Sequence, residues 1–416
     1  MKNKDMEKGN EIKTVVPTLR FPEFQGMNGW EKIRVKDFGK VITGNTPSKN
    51  EETYWNGDFA WITAQDFNGK YIYDSISKLT QFGRDKSKII PKDSVLVTCI
   101  ASIGLNAINK IECSTNQQIN SICCNQRYYN EYVYYTITYN IDRLKQLAGQ
   151  TAVPIITKKI FEDFEIYATK NYDEQQKIAD CLSSLDDLIE ATAQKVETLK
   201  ELKKGLMQRL FPEEGKNVPN LRFPEFQRMK GCEKKQVKDF GEVITGNTPS
   251  KKEEKYWNGD FVWVTAQDFK GKYINDSILK LTKFGKDKAR VIPKNSVLVT
   301  CIASIGLKAI NKVECSTNQQ INAICCNQEY NYEYVYYLIT YNTKNLKQLA
   351  GQTAVPIITK KNFEEFEVYA IENYDEQQKI ANCLSSLDEL IEATSRKVEI
   401  LKEHKKGLMQ QLFPKI

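Results

Sequence analysis

The chain states nearly the same sequence twice. The stretch from Leu19 to Pro212 returns at Leu221 to Pro414, and long strings survive with little change. TGNTPSK begins at Thr43 and again at Thr245, and LAGQTAVPIITKK begins at Leu147 and again at Leu349. Units of a solenoid run to roughly 20 to 50 residues and lack a core of their own. Each copy here is long enough to fold as a domain, so the duplication predicts two copies of one site, facing a partner that presents its target twice.

The length of 416 residues agrees with two or three domains at about 100 to 200 residues each. With 41% hydrophobic and 27% charged residues the composition is that of an ordinary water-soluble protein, and no run approaches the roughly 18 apolar residues of a membrane span. The opening MKNKDMEKGNEIK is charged throughout, so residues 1–16 are expected to be a disordered leader and the protein cytoplasmic, with no membrane partner. Cys99, Cys113 and Cys123 lie among Val, Ile and Ala and read as small buried hydrophobes. The neighbouring pairs Cys123, Cys124 and Cys325, Cys326 lack the CxxC partner and histidine of a zinc site. A formal charge of +7 favours a polyanion where lysines cluster.

Within each copy the first part is strand-like and aromatic. FAWITAQDF from Phe59, SVLVTCIASIG from Ser94 and EYVYYTITYN from Glu131 are rich in Val, Ile, Thr and Tyr between Gly, Pro, Asn and Asp, and all three read as strands. The last part is different. From Asp173 to Leu210 there is no proline, and apolar residues recur at steps of three and four: Ile178, Leu182, Leu185, Ile189, Thr192, Val196 and Leu199, then Leu202, Leu206 and Leu210 after one shortened step. The second copy repeats this with Ile380, Leu384, Leu387, Ile391, Val398, Leu401 and Leu408. Such a stripe is a coiled-coil seam on a rod of roughly 55 to 60 Å, and a lone helix cannot leave it in water. The other copy is the expected partner, in antiparallel pairing; folding of each rod onto its own domain is the alternative.

Motifs of self-contained catalysis are missing. The sequence has no GxxxxGK[ST] phosphate loop, no GxGxxG after a strand and no Asn-Pro-Pro-aromatic string. Its one histidine, His404, stands where the first copy has Leu202, so no catalytic residue and no metal site is assigned. Carboxylates such as Asp173, Glu174, Asp186 and Asp187 lie on the rod beside lysines and read as a solvated face.

Several loop strings instead suit direct reading of bases. Asn and Gln can bond an adenine edge, Thr can meet a thymine methyl group, and Lys can take a phosphate. In the first copy the candidates are Thr43, Asn45, Thr46, Ser48, Lys49, Gln65, Asn68, Lys70, Asn116, Gln117, Gln150, Thr151, Lys158 and Lys159. Their counterparts are Thr245, Asn247, Thr248, Ser250, Lys251, Gln267, Lys270, Lys272, Asn318, Gln319, Gln352, Thr353, Lys360 and Lys361. Each string is also good turn chemistry, with Gln117 and Gln118 able to satisfy backbone groups.

LRFPEF from Leu19, TGNTPS, WITAQDF, VLVTCIASIG, TNQQIN, and DEQQKIADCLSSLDDLIE running into a helix that ends MQRLFP resemble the specificity subunit of type I restriction-modification systems, over nearly the whole chain. Many members carry a double proline before the Glu-Gln-Gln string, where this chain reads YATKNYDEQQ and YAIENYDEQQ, and Trp30 is answered by Cys232. The resemblance implies an α+β architecture with an internal pseudo-two-fold. Mostly-β target-recognition domains span 17–172 and 234–374, and long helices over 173–212 and 375–414 pair as an antiparallel coiled coil, with a linker over 213–233. It implies recognition of a bipartite double-stranded DNA site. Two methyltransferase subunits bring S-adenosylmethionine, and restriction subunits use ATP and Mg; this chain would hold no cofactor and do no chemistry. Near-identical domains predict like half-sites in an interrupted palindrome. A coiled-coil adaptor whose β domains bind protein is the competing reading.

Overall fold

The structure is a computed structural model that describes residues 14–149, 153–351 and 355–415. The chain forms two compact units, one from residues up to Thr192 together with Lys397 onward, the other from Ala193 to Arg396. Each unit therefore combines the sheets of one repeat with the last turns of the other repeat's long helix.

In the first unit the strands are β1 (Thr14–Val15), β2 (Trp30–Arg34), β3 (Gly39–Thr43), β4 (Trp55–Ile62), β5 (Tyr71–Ile72), β6 (Ser77–Leu79), β7 (Val95–Thr98), β8 (Asn106–Asn109), β9 (Ser114–Thr115), β10 (Ile119–Cys124) and β11 (Glu165–Ala168). They make a five-stranded sheet in the order β3-β10-β7-β8-β5 and three-stranded sheets in the orders β6-β4-β9 and β1-β2-β11. Only β4 with β9 and β5 with β8 run parallel. Thr14 and Val15 pair with Glu31 and Trp30, which corrects the end of the expected leader; residues 1–13 lie outside the described residues.

The central strand β7 is buried throughout, so its alternate side chains feed two cores. Val95 and Val97 face a core with Ile108 and Ile122, whereas Leu96 joins Ile62, Ala107 and Ile119 between the sheets. Cys99 and Cys113 are buried, and desolvation pushes each thiol up to about 12. All eleven cysteines are free.

EYVYYTITYN is not a strand but most of a helix, Asn130–Tyr139. Its aromatic and β-branched composition suggested a strand. Burial of Tyr132, Val133, Tyr135, Thr136 and Ile137 follows helical spacing, and that stripe covers the inner face of the five-stranded sheet.

The long helices are Tyr172–Leu210 and Tyr374–Leu412, each of 39 residues. In the first unit the start of one runs antiparallel to the end of the other, with Lys405 bonded to Asp186 at 2.5 Å. The second unit repeats this with Lys203 and Asp388 at 2.5 Å. Val196, Leu199 and Val398 are buried, and Leu185, Ile189, Leu387, Ile391 and Leu401 half-buried. Ile178 and Leu182, like Ile380 and Leu384, belong to the domain cores instead. Leu202 is a correction: it is 50% exposed, because the undisturbed heptad step reaches Lys203, whose ammonium finds Asp388. His404 is likewise exposed.

The helix tails finish the cores. Phe413 stacks on Tyr139 at 5.2 Å and meets Trp30 edge-on at 5.7 Å, while in the second unit Phe211 stacks on Tyr341 at 5.3 Å. Arg20 of LRFPEF is buried against Glu174 of DEQQ, with Nε to Oε1 at 2.7 Å and Nη2 to Oε2 at 2.9 Å. Arg222 and Glu376 repeat the pair at 2.6 Å for both bonds. Removing one partner of such a pair strands a buried charge, so Arg20→Leu is expected to cost about 3–5 kcal/mol. The double variant Arg20→Leu, Glu174→Leu should lose less than the single one, and urea unfolding of both checks this.

Candidate nucleic-acid interface

Four sequence strings meet at one end of the sheets in each unit. β4 pairs in parallel with β9, so the TAQDF turn after Ile62 and the TNQQIN turn after Thr115 emerge side by side, tied by the Asn116 amide on the Ile62 carbonyl at 3.2 Å. The TGN turn presses on the same place. A Cβ on Gly44 would sit 2.1 Å from Thr115 Oγ1 and 2.2 Å from its carbonyl oxygen, so only glycine fits there. Thr46 Oγ1 then donates to Gln117 Oε1 at 2.6 Å. Beyond it, the Cys99 amide donates to the Gln118 carbonyl and the Ile156 amide to the Cys99 carbonyl, which brings VPIITKK alongside.

Two tryptophans that the sequence reading passed over hold this surface. Trp61 Nε1 donates to the Asn45 carbonyl at 3.1 Å and Trp55 Nε1 to the Ser48 carbonyl at 3.0 Å, with the rings edge to face at 5.0 Å. Ala101, in the turn after β7, has a φ of 61°, held by its amide on the Pro154 carbonyl at 3.1 Å; Ala303 repeats it at 61°. A non-glycine residue kept in the left-handed region in both units marks a turn fixed by its surroundings.

The candidates sort by what their polar atoms do. Thr43 Oγ1 is spent on Asn120 at 2.5 Å, and the Asn45 side chain bridges the Lys86 carbonyl at 2.8 Å and the Lys88 amide at 2.7 Å. Asn116 bonds Gln118. These three shape the loops. Thr245, Asn247 and Asn318 do the same work in the second unit, and Thr248 repeats the bond of Thr46 with Gln319. Ser48, Lys49, Gln65, Asn68 and Gln117, with Ser250, Lys251, Gln267, Lys270 and Gln319, stand exposed. Lys158, Lys159, Lys360 and Lys361 are exposed at the start of a short helix, Lys158 and Lys360 leaning toward Glu162 and Glu364 at 3.4 and 3.3 Å. Gln150, Thr151, Gln352 and Thr353 lie outside the described residues.

Lys70 and Lys272 are corrections. Expected as phosphate ligands, they point inward. Lys70 Nζ reaches Glu131 at 2.7 Å and also bonds Ser183 on the long helix, and its side chain is 10% exposed. Lys272 meets Glu333 and Tyr337 at 3.0 Å and Ser385 at 2.6 Å. Their charge is neutralised locally. In their place Lys86 and Lys88, or Lys288 and Arg290, are exposed beside the TGN turn, with Lys88 Nζ on the Thr43 carbonyl at 3.0 Å. Their place in the chain gave no signal; the fold brings them to the loop.

Among the described residues no group of His, Cys, Asp or Glu is placed to hold a metal ion, and no helix is long and apolar enough to cross a membrane. The fold and surface define a duplicated recognition module that offers amides, hydroxyls and lysines on a rigid frame. The model of the type I restriction modification DNA specificity domain matches the chain twice, over residues 27–201 and 229–403. The chain belongs to that family. It is 35% identical over 409 residues to the type I restriction enzyme MjaIX specificity subunit of Methanocaldococcus jannaschii, covering 92% of both chains. It is 24% identical to the MjaVIII specificity subunit of the same organism, covering 95% of this chain and 93% of that one. Its fold matches the crystal structure of the type I restriction-modification S subunit from M. genitalium with a TM-score of 0.64 at 17% identity, over 97% of this chain and all (100%) of that one. A chain from a structural study of complex assembly and conformational transition of the type I system matches with a TM-score of 0.61 at 15% identity, over 92% of this chain and 97% of that one. Recognition of DNA, not the competing adaptor reading, is what this membership supports.

Burial would raise the Glu333 carboxyl, but hydrogen bonds from Ser385, Tyr273 and Lys272 outweigh it and hold the group down to about 2. A depressed carboxylate contributes stability above its unfolded value of 4.5, and that stability is lost as pH falls toward 2. Unfolding measured between pH 6 and pH 2 should therefore show the second unit weakening across that window, and Glu333→Gln should flatten the dependence.

Proposed function

We propose that each unit lays its loop cluster against duplex DNA, with Ser48, Lys49, Gln65 and Gln117 and their identical counterparts as the contacting side chains, and Asn68 and Lys270 at the edge of the surface. Major-groove edges offer the donors and acceptors that amides and hydroxyls match, and lysines at the rim take phosphates. The observation that carries the reading is the repetition of this surface. TGNTPSK, TAQDF and STNQQIN recur unchanged, so both units present the same side chains on the same frame.

Like surfaces select like half-sites. Each unit is closed by the tail of the other repeat, as reciprocal exchange between two equivalent copies produces. The site proposed is therefore an interrupted inverted repeat. The chain supplies address and scaffold. Two methyltransferase subunits, carrying S-adenosylmethionine and acting on adenine, dock on it, and restriction subunits that use ATP and Mg join the assembly. The helices and the segments locked to them, including LRFPEF and DEQQ, are the proposed docking frame.

Methylome sequencing of cells expressing the chain with its methyltransferase should reveal modified adenines in one half-sequence and its inverted copy across a fixed gap. Two unrelated half-sites would rule out the symmetric reading. Purified alone with labelled S-adenosylmethionine and DNA, the chain should transfer no methyl group.

A further inference from the structure

The two reading surfaces are alike, but their rims are not. From Thr43 to Ile90 and along STNQQIN, every difference between the copies that changes charge adds a lysine to the second unit. Asn50 becomes Lys252, Thr53 becomes Lys255, Asn68 becomes Lys270 and Gln81 becomes Lys283. All four lysines and the four residues they replace are exposed. The remaining basic positions of that segment keep their charge, Arg84 as Lys286 and Lys88 as Arg290. Away from the loops the exchanges run both ways, as Lys40 to Glu242 and Ile33 to Lys235 illustrate.

The fold gathers Lys252, Lys255 and Lys283 on one rim, while Lys270 lies in a neighbouring cleft lined also by Asp388, Glu389 and Glu392 of the long helix. Lys252 follows the TGNTPSK turn, and Lys270 follows the TAQDF turn. Thr282 Oγ1 donates to the Lys255 carbonyl at 2.5 Å, which sets Lys283 beside it. The same segment then returns to the TGN turn, where Asn247 bonds the Lys288 carbonyl at 2.8 Å and the Arg290 amide at 2.6 Å. Lys255 shares an exposed carboxylate, Glu253, at 3.2 Å; Lys252, Lys270 and Lys283 have no ion-pair partner among the described residues. Lysines without a carboxylate on an exposed rim are suited to phosphates, which carry no sequence information.

We propose that the second unit grips its half-site through up to four more phosphate contacts than the first, while both read the same bases. Recognition is symmetric in sequence and asymmetric in affinity, with the second unit as the anchor. The inference rests on the DNA-binding reading above.

The test is the salt dependence of binding by the full chain to a duplex carrying the site mapped by methylome sequencing. The variant Lys252→Asn, Lys255→Thr, Lys270→Asn, Lys283→Gln installs residues that already stand at these positions in the first unit, so its folding is secure. Each lost contact lowers the log-log slope by about 0.9, so the slope should fall by about 3 to 4 relative to the parent chain. The converse variant Asn50→Lys, Thr53→Lys, Asn68→Lys, Gln81→Lys should steepen it by a similar amount. A slope unchanged by the first variant, with binding still salt-dependent, overturns the anchor and leaves DNA recognition intact. A parent chain whose binding ignores salt overturns both.

Discussion

One guanidinium in each unit organises what surrounds it. Arg20 is 6% exposed and makes four bonds: two to Glu174, one to the Met27 carbonyl at 2.9 Å and one to the Asn28 carbonyl at 3.0 Å. Glu174 in turn accepts Thr169 Oγ1 at 2.7 Å and Trp30 Nε1 at 3.3 Å. Next to it, buried Gln175 accepts the Tyr129 amide at 2.8 Å and donates to the carbonyls of Arg127 at 3.1 Å and Thr169 at 3.0 Å. The first turn of the long helix is thus pinned to the chain entry, to the helix over the sheet and to the last strand. A buried pair of this kind adds little net stability over an apolar replacement. Its planar, forked geometry accepts one arrangement, and the direction in which the helix leaves the unit follows from it.

Further along, polar contacts couple helix to sheet. Lys70, Glu131, Tyr71, Ser183, Tyr135 and Asp186 form a connected set, with Tyr71 donating to Glu131 at 2.5 Å and Tyr135 to Asp186 at 2.7 Å. Desolvation holds both phenols well above their ordinary range, so they remain donors. The loop cluster adjoins this set, since Lys70 closely follows the TAQDF turn. Its turns are fixed by Gly44, by the two indole N–H groups and by the left-handed Ala101, which keeps exposed side chains such as Gln65 and Gln117 on a stiff base. Rigid placement limits the conformational freedom that must be lost on binding.

The second unit departs from the first where Trp30 is replaced by Cys232. Cys232 is buried, its thiol pushed up to about 12 chiefly by desolvation, and Glu376 has no indole to bond. The ion pair with Arg222 persists without it. Changes of this size inside a preserved frame, beside added lysines at the rim, describe a duplication whose reading loops stayed fixed while core and periphery drifted.

The sequence by itself determined the duplication, the two long amphipathic helices, the turns of TGNTPS and TNQQIN, and the buried character of Cys99 and Cys113, because periodicity, turn chemistry and identity between copies are local properties of the chain. It misread EYVYYTITYN, whose composition favours strand while its burial follows a helix. It also placed Leu202 in the seam and Lys70 at the surface. Those outcomes were decided by partners distant in sequence: the sheet beneath Tyr132, Asp388 opposite Lys203, and Glu131 beside Lys70. Only the tertiary structure decided that the tail of one repeat closes the core of the other, since nearly identical tails follow both rods and no local signal tells them apart.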